Sequence, residues 1–132
     1  MPNDETYFLN RDWRIAVPEE GGSPKNTPEP VSIGDTFRFH RQGRMIVCKV
    51  SPNESRYVDW ESAAFVYDAS HDRLLGISVF HKEGPTVIAV TRFDNGDGKV
   101  WIECSYSHYR HSETEQPKFY HYGYWHGDGG DP

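Results

Sequence analysis

Between residues 63 and 109, β-branched and aromatic side chains alternate with polar ones in four short runs: 63–68, 74–82, 87–94 and 99–109. Three connections separate them, 69–73, 83–86 and 95–98, each built from residues with a reason to turn. Glycine supplies a positive φ, proline a fixed φ, and asparagine and aspartate bond to their own backbone. Connections this short join antiparallel neighbours, so the region predicts a β-meander.

The flanking segments extend it. A strand is expected within residues 7–17, where Trp13, Ile15 and Val17 alternate with Arg14 and Ala16. Residues 18–34 hold Pro18, Pro24, Pro28 and Pro30 together with Gly21, Gly22 and Gly34, and form a surface loop rather than a helix or strand. Residues 35–50 form a hairpin in which Gln42-Gly43 is the two-residue turn. That turn sets Phe39 opposite Ile46 and Phe37 opposite Cys48, with Arg38 and His40 on the other face beside Val47 and Met45. Across 58–67, Glu61, Ala63 and Ala64 favour a helix, but Phe65-Val66-Tyr67 favours a strand from Ala63 onward. A last strand is expected over 118–126, followed by a frayed tail at 127–132. The sum is an all-β domain spanning 1–132, an antiparallel meander of about seven or eight strands. It closes as a small barrel or packs as a two-sheet sandwich.

Alternation and direction place candidate chemistry. In 74–82 the apolar set Leu75, Ile77, Val79 continues to His81; in 99–109 the set Val100, Ile102, Cys104, Tyr106 continues to His108. Both runs flank 87–94 and so share a direction. His81 and His108 are expected at one end of the sheet, on one face, roughly 10 Å apart across two strand spacings. Trp60 enters at the same rim, and Arg92 continues the apolar face of Ile88 and Val90 at the opposite end. Imidazoles and a tryptophan around an apolar lumen are the composition of a small-molecule site. The catalytic candidates are therefore His81, His108 and Tyr106, since a neutral histidine takes a proton near neutral pH while a tyrosine donates a hydrogen bond. The ligand-binding candidates are Trp60, Arg92, Arg38 and His40. The last two sit in a hairpin that carries Arg38, Arg41, Arg44 and Lys49 and no acid, a local basic patch suited to a carboxylate or phosphate.

Composition narrows the classes. The chain has 132 residues and a net charge of -6, which disfavours nucleic acid and anionic membranes as partners. Aromatics make up 14% of it, enough for an ordered core despite a mean hydropathy of -0.79. No run reaches the roughly 18 apolar residues of a membrane helix. Met1 to Glu5 carry no signal-peptide core, so a soluble, cytoplasmic protein is expected. Cys48 and Cys104 lack metal-site spacing and are expected as buried free thiols. His108-x-x-His111-x-x-x-Glu115 has metal-binding residue types, but in a strand its two histidines fall on opposite faces, so no metal is assigned. Dinucleotide, phosphate-loop, nucleophile-elbow and zinc-protease motifs are all missing, as is the Gly-x-Trp of lipocalins, because Asp12-Trp13 lacks the preceding glycine. The expected function is a small-molecule-binding β-barrel with an apolar lumen, needing no cofactor and open to acid–base chemistry of isomerase or cyclase type. The alternative is an acidic protein-binding module, of inhibitor or immunity type, covering a basic partner. A homodimer through a strand edge is compatible with either. Whether the protein turns over a substrate is left open at this level.

Overall fold

The computed structural model describes residues 4–17, 36–51, 60–78, 85–96, 98–108 and 120–127. Eight strands account for most of these: β1 (Trp13–Val17), β2 (Thr36–Gln42), β3 (Met45–Ser51), β4 (Ala64–Asp68), β5 (Arg73–Ser78), β6 (Thr86–Phe93), β7 (Trp101–His108) and β8 (Tyr120–Gly127). Each runs antiparallel to the next, and β8 returns to pair with β1, so the ladder closes into an up-and-down barrel. Closure chooses the barrel over the sandwich and gives every strand a neighbour on both sides.

Two sequence expectations are corrected. The β2–β3 hairpin turns at Gly43-Arg44 rather than Gln42-Gly43, pairing Gln42 with Met45, Phe39 with Cys48 and Phe37 with Val50. Gly43 takes φ +67, the conformation the first central residue of a tight hairpin turn requires. The resulting shift is even, so Phe37 and Phe39 still face the core. The second correction concerns β5, where Leu74, Gly76 and Ser78 are buried and Ile77 is exposed, the reverse of the expected face. The reason lies on the neighbouring strand. Phe65 stands opposite Gly76, and a β-carbon on Gly76 would fall 2.7 Å from Cγ of that ring. The ring needs the glycine beneath it, and the strand's parity follows.

Two of the ladders are short, with two register pairs between β1 and β2 and two between β3 and β4. Strand stagger in a closed barrel leaves such gaps, and here a 3-10 turn borders each. Next to β2, the segment after the turn Glu5–Tyr7 supplies a parallel bridge from Leu9 to Phe39, and Asn10 N–H donates to the Phe39 carbonyl at 2.8 Å. Next to β3, the turn Trp60–Ser62 brings Glu61, whose carboxylate accepts from Val50 N–H at 2.8 Å.

The N-terminal turn also seals one end, here called the base. Phe8 is fully buried there, Tyr7 donates to the Trp101 carbonyl at 2.8 Å, and Trp13 Nε1 donates to the Phe8 carbonyl at 3.1 Å. The Arg92 guanidinium lies over the Tyr7 ring, 3.9 Å from its centre, and pairs with Asp72. Asp72 in turn accepts from Tyr67 at 2.6 Å. That hydrogen bond pushes the Tyr67 phenol from 10.0 up to about 12. The folded state therefore holds this proton more tightly than the unfolded chain. Its contribution is complete below pH 10, declines as the pH rises, and is gone above about 12. Equilibrium denaturation at stepped pH is expected to show the wild-type advantage over Tyr67→Phe vanishing across that window; a constant difference would contradict it.

Above the base the lumen is filled by aromatic rings. Trp125 lies 4.3 Å from Phe37 and 5.0 Å from Trp60, and Phe65 meets Phe39 edge-on at 5.3 Å. Leu74, Ile88, Val90 and Ile102 complete the wall. Among the described residues no helix is long and apolar enough to cross a membrane.

Candidate functional site

The end opposite the base differs in chemistry. Antiparallel register puts Ser78 opposite Thr86, and Thr86 opposite His108, in one row across β5, β6 and β7. Ser78 and Thr86 share the inward parity of Gly76 and Ile88, one row deeper. Ser78 and Thr86 are 0% exposed. Ser62, from the second 3-10 turn, brings its Oγ to 3.2 Å from Ser78 Oγ. Trp60, buried at the start of that turn, stacks on Phe65 at 6.2 Å and meets Phe37 edge-on at 5.6 Å. An apolar lumen thus ends in a line of hydroxyls, with a tryptophan as its inner wall. Hydroxyls both donate and accept, so such a line can hold either polarity of a ligand's polar group.

The structure gathers some sequence candidates here and scatters others. Trp60, Tyr106 and His108 belong to this end of the barrel, Tyr106 half-buried against the core. His81 lies outside the described residues; Leu75 and Ile77, the β5 residues of its parity, belong to the outer face. Arg92 is at the base, committed to Asp72 and Tyr7. Arg38 and His40 alternate with the buried Phe37 and Phe39 and so face outward. The basic hairpin is partly neutralised by the acidic N-terminal segment: Arg38 pairs with Asp12 at 3.1 Å, and Arg41 donates from Nε and Nη2 to the two carboxylate oxygens of Glu5.

Ser62, Ser78 and Thr86 went unrecognised in the sequence. Their signal was positional, but the inverted parity of β5 had put Ser78 outside. Both thiols are free and buried, as expected. Burial pushes both upward from the usual thiol range, so they stay protonated and inert at neutral pH. In the C-terminal strand, His126 donates Nδ1–H to the Val100 carbonyl at 3.1 Å and stacks on Trp101 at 5.0 Å. His111 and Glu115 lie outside the described residues; among those described, no three metal-type side chains converge.

Compared with known proteins, the chain matches no family model, no curated protein and no solved structure.

Proposed function

We propose that this barrel binds an apolar or aromatic small molecule carrying one polar group, at the end of the lumen opposite the N-terminal plug. The observation behind this reading is the row of Ser78 and Thr86 hydroxyls, fully buried beside Trp60 in an otherwise apolar interior. Several buried hydroxyls at one end of a barrel packed with aromatic rings suit a ligand seated at that end, its polar atom on the hydroxyls and its apolar body against Trp60. With His108 in the same row and Tyr106 one row deeper, the chemistry open to such a site is a cofactor-free proton transfer of isomerase or cyclase type, His108 accepting the proton and Tyr106 donating a hydrogen bond.

The test uses 1-aminoanthracene, an apolar fluorescent amine, titrated against the full chain. Saturable binding is expected, weakened about 3- to 10-fold by Thr86→Val or Ser78→Ala, the effect of one lost hydrogen bond. His108→Ala and Tyr106→Phe test the proton-transfer reading, and unchanged probe affinity in both would remove these residues from the site. Absence of saturable binding would overturn the lumen reading altogether.

The alternative, an acidic module covering a basic partner, rests on the net charge of -6. Glu5 and Asp12, however, are already paired with Arg41 and Arg38 within the molecule. Salt separates the two readings. Affinity for a basic partner falls steeply between about 50 and 500 mM salt, whereas lumen binding stays nearly constant.

A further inference from the structure

The base of the barrel holds a cation that has no part in the lumen site. Of the described arginines, Arg38, Arg41, Arg73 and Arg92 each pair with a carboxylate, and Arg14 and Arg44 are exposed to water. Arg11 is different. It is half-buried, and its Nε and Nη1 are buried with no hydrogen-bond partner among the described residues. Its guanidinium carbon lies 5.7 Å from the centres of both the Tyr7 and the Trp13 ring. That is close to the roughly 6 Å limit of a cation–π contact, so the rings wall the group in without neutralising it. The stem is held as well, because it runs over Gly127, where a β-carbon would fall 2.7 Å from Arg11 Cδ. The nearby acids are engaged elsewhere: Asp4 with Thr6, Glu5 with Arg41, Asp12 with Arg38 and Asp72 with Arg92.

We propose that Arg11 forms an anion site at the base, taking the carboxylate of a small organic acid. A buried charge without a counter-charge is costly, and N–H donors held away from water need an acceptor. A planar guanidinium fork matches a carboxylate and bonds it with charge-assisted hydrogen bonds. The surroundings set size and charge. Arg11 is only partly exposed, so an acid arriving from solvent meets one edge of the guanidinium rather than an extended surface. Arg92, 3.9 Å from the centre of the same Tyr7 ring, adds a second positive charge beside the site. The net charge of -6 and the neighbouring Asp72 oppose a dianion more than a monoanion, which favours a carboxylate over a phosphate. The site lies at the end of the barrel away from the hydroxyl row and stands independently of the lumen reading.

Nitrogen–proton correlation NMR of the arginine Nε–H groups reads the site directly. The full chain is titrated with sodium acetate, with sodium chloride keeping the ionic strength constant. The Arg11 signal, assigned by its loss in Arg11→Lys, is expected to shift saturably, with half-saturation on the order of millimolar. Thermal melting supplies a second readout. Acetate at ten times its half-saturating concentration should raise the wild-type melting temperature by about 3 °C or more. It should leave Arg11→Met unchanged, a variant that keeps the packing of the stem. In chloride alone Arg11→Met should melt no lower than wild type, since no buried charge is left unpaired. An Arg11 signal that stays still, or that chloride moves equally, overturns the proposal, and tighter binding of inorganic phosphate than of acetate overturns the assignment to a carboxylate.

Discussion

Trp125→Ala is expected to destabilise the protein by ~3–5 kcal/mol, the range for truncating a large aromatic side chain in a core. Trp125 is fully buried on β8, the strand that closes the barrel, where it stands opposite Ile15 on β1 and Ile102 on β7. Its ring joins three others, 4.3 Å from Phe37, 5.0 Å from Trp60 and 6.4 Å from Phe39. These neighbours come from β2, one strand beyond β1, and from the upper 3-10 turn, so no single local shift refills the void. The loss therefore combines the transfer free energy of the indole with a cavity bounded by rigid rings. Urea denaturation measures it. Trp125→Phe should lose clearly less, because it keeps a ring against Phe37. A loss below about 1 kcal/mol for the alanine variant, typical of a surface position, would mean that the ring cluster does not hold the barrel together.

The second large effect comes from adding atoms. Gly76→Val is expected to cost ~1–3 kcal/mol or more through overpacking. A β-carbon at position 76 would lie 2.7 Å from Cγ and Cε2 of Phe65 and closer still to Cδ2. Phe65 has little room to retreat: it is fully buried, edge-on to Phe39 at 5.3 Å and stacked on Trp60 at 6.2 Å. The cost should be non-additive. Shortening the opposing ring in a Gly76→Ala, Phe65→Leu double variant is expected to be less destabilising than the two single changes summed. Strict additivity in denaturation experiments would show that the two positions do not collide. The base contains a similar pair, since Trp13 stands opposite Gly127, whose added β-carbon would meet the indole at 2.7 Å. A ring laid over a cross-strand glycine is thus used twice to bring wide side chains into a narrow lumen.

Much of the fold was legible before any coordinates. Turn chemistry delimited β4 to β7 to within a few residues, because glycine, proline and asparagine act through local backbone geometry. The inward faces of β2, β3, β6 and β7 followed from period-two alternation, as did the burial of both cysteines. The hairpin register slipped by two because Gln42-Gly43 and Gly43-Arg44 are both plausible turns, and Gly43's positive φ is visible only in the structure. The face of β5 was misread because Leu74-Leu75-Gly76-Ile77-Ser78 is apolar on both parities, and the deciding contact comes from another strand.

The candidate site divides the same way. The placement of Trp60 and His108 at one end and Arg92 at the other depended only on strand direction. The hydroxyl row depended on the parity of β5 and on Ser62 being brought across by a 3-10 turn. By itself, the sequence determined an all-β antiparallel meander, its turns and most of its inward positions, since these arise from interactions between near neighbours in the chain. Tertiary structure alone decided closure of β8 onto β1, the sealing of the base by Tyr7 and Phe8, and the face of β5. Each of those requires a contact between residues far apart in sequence, and alternation within one strand carries no information about what lies across the barrel.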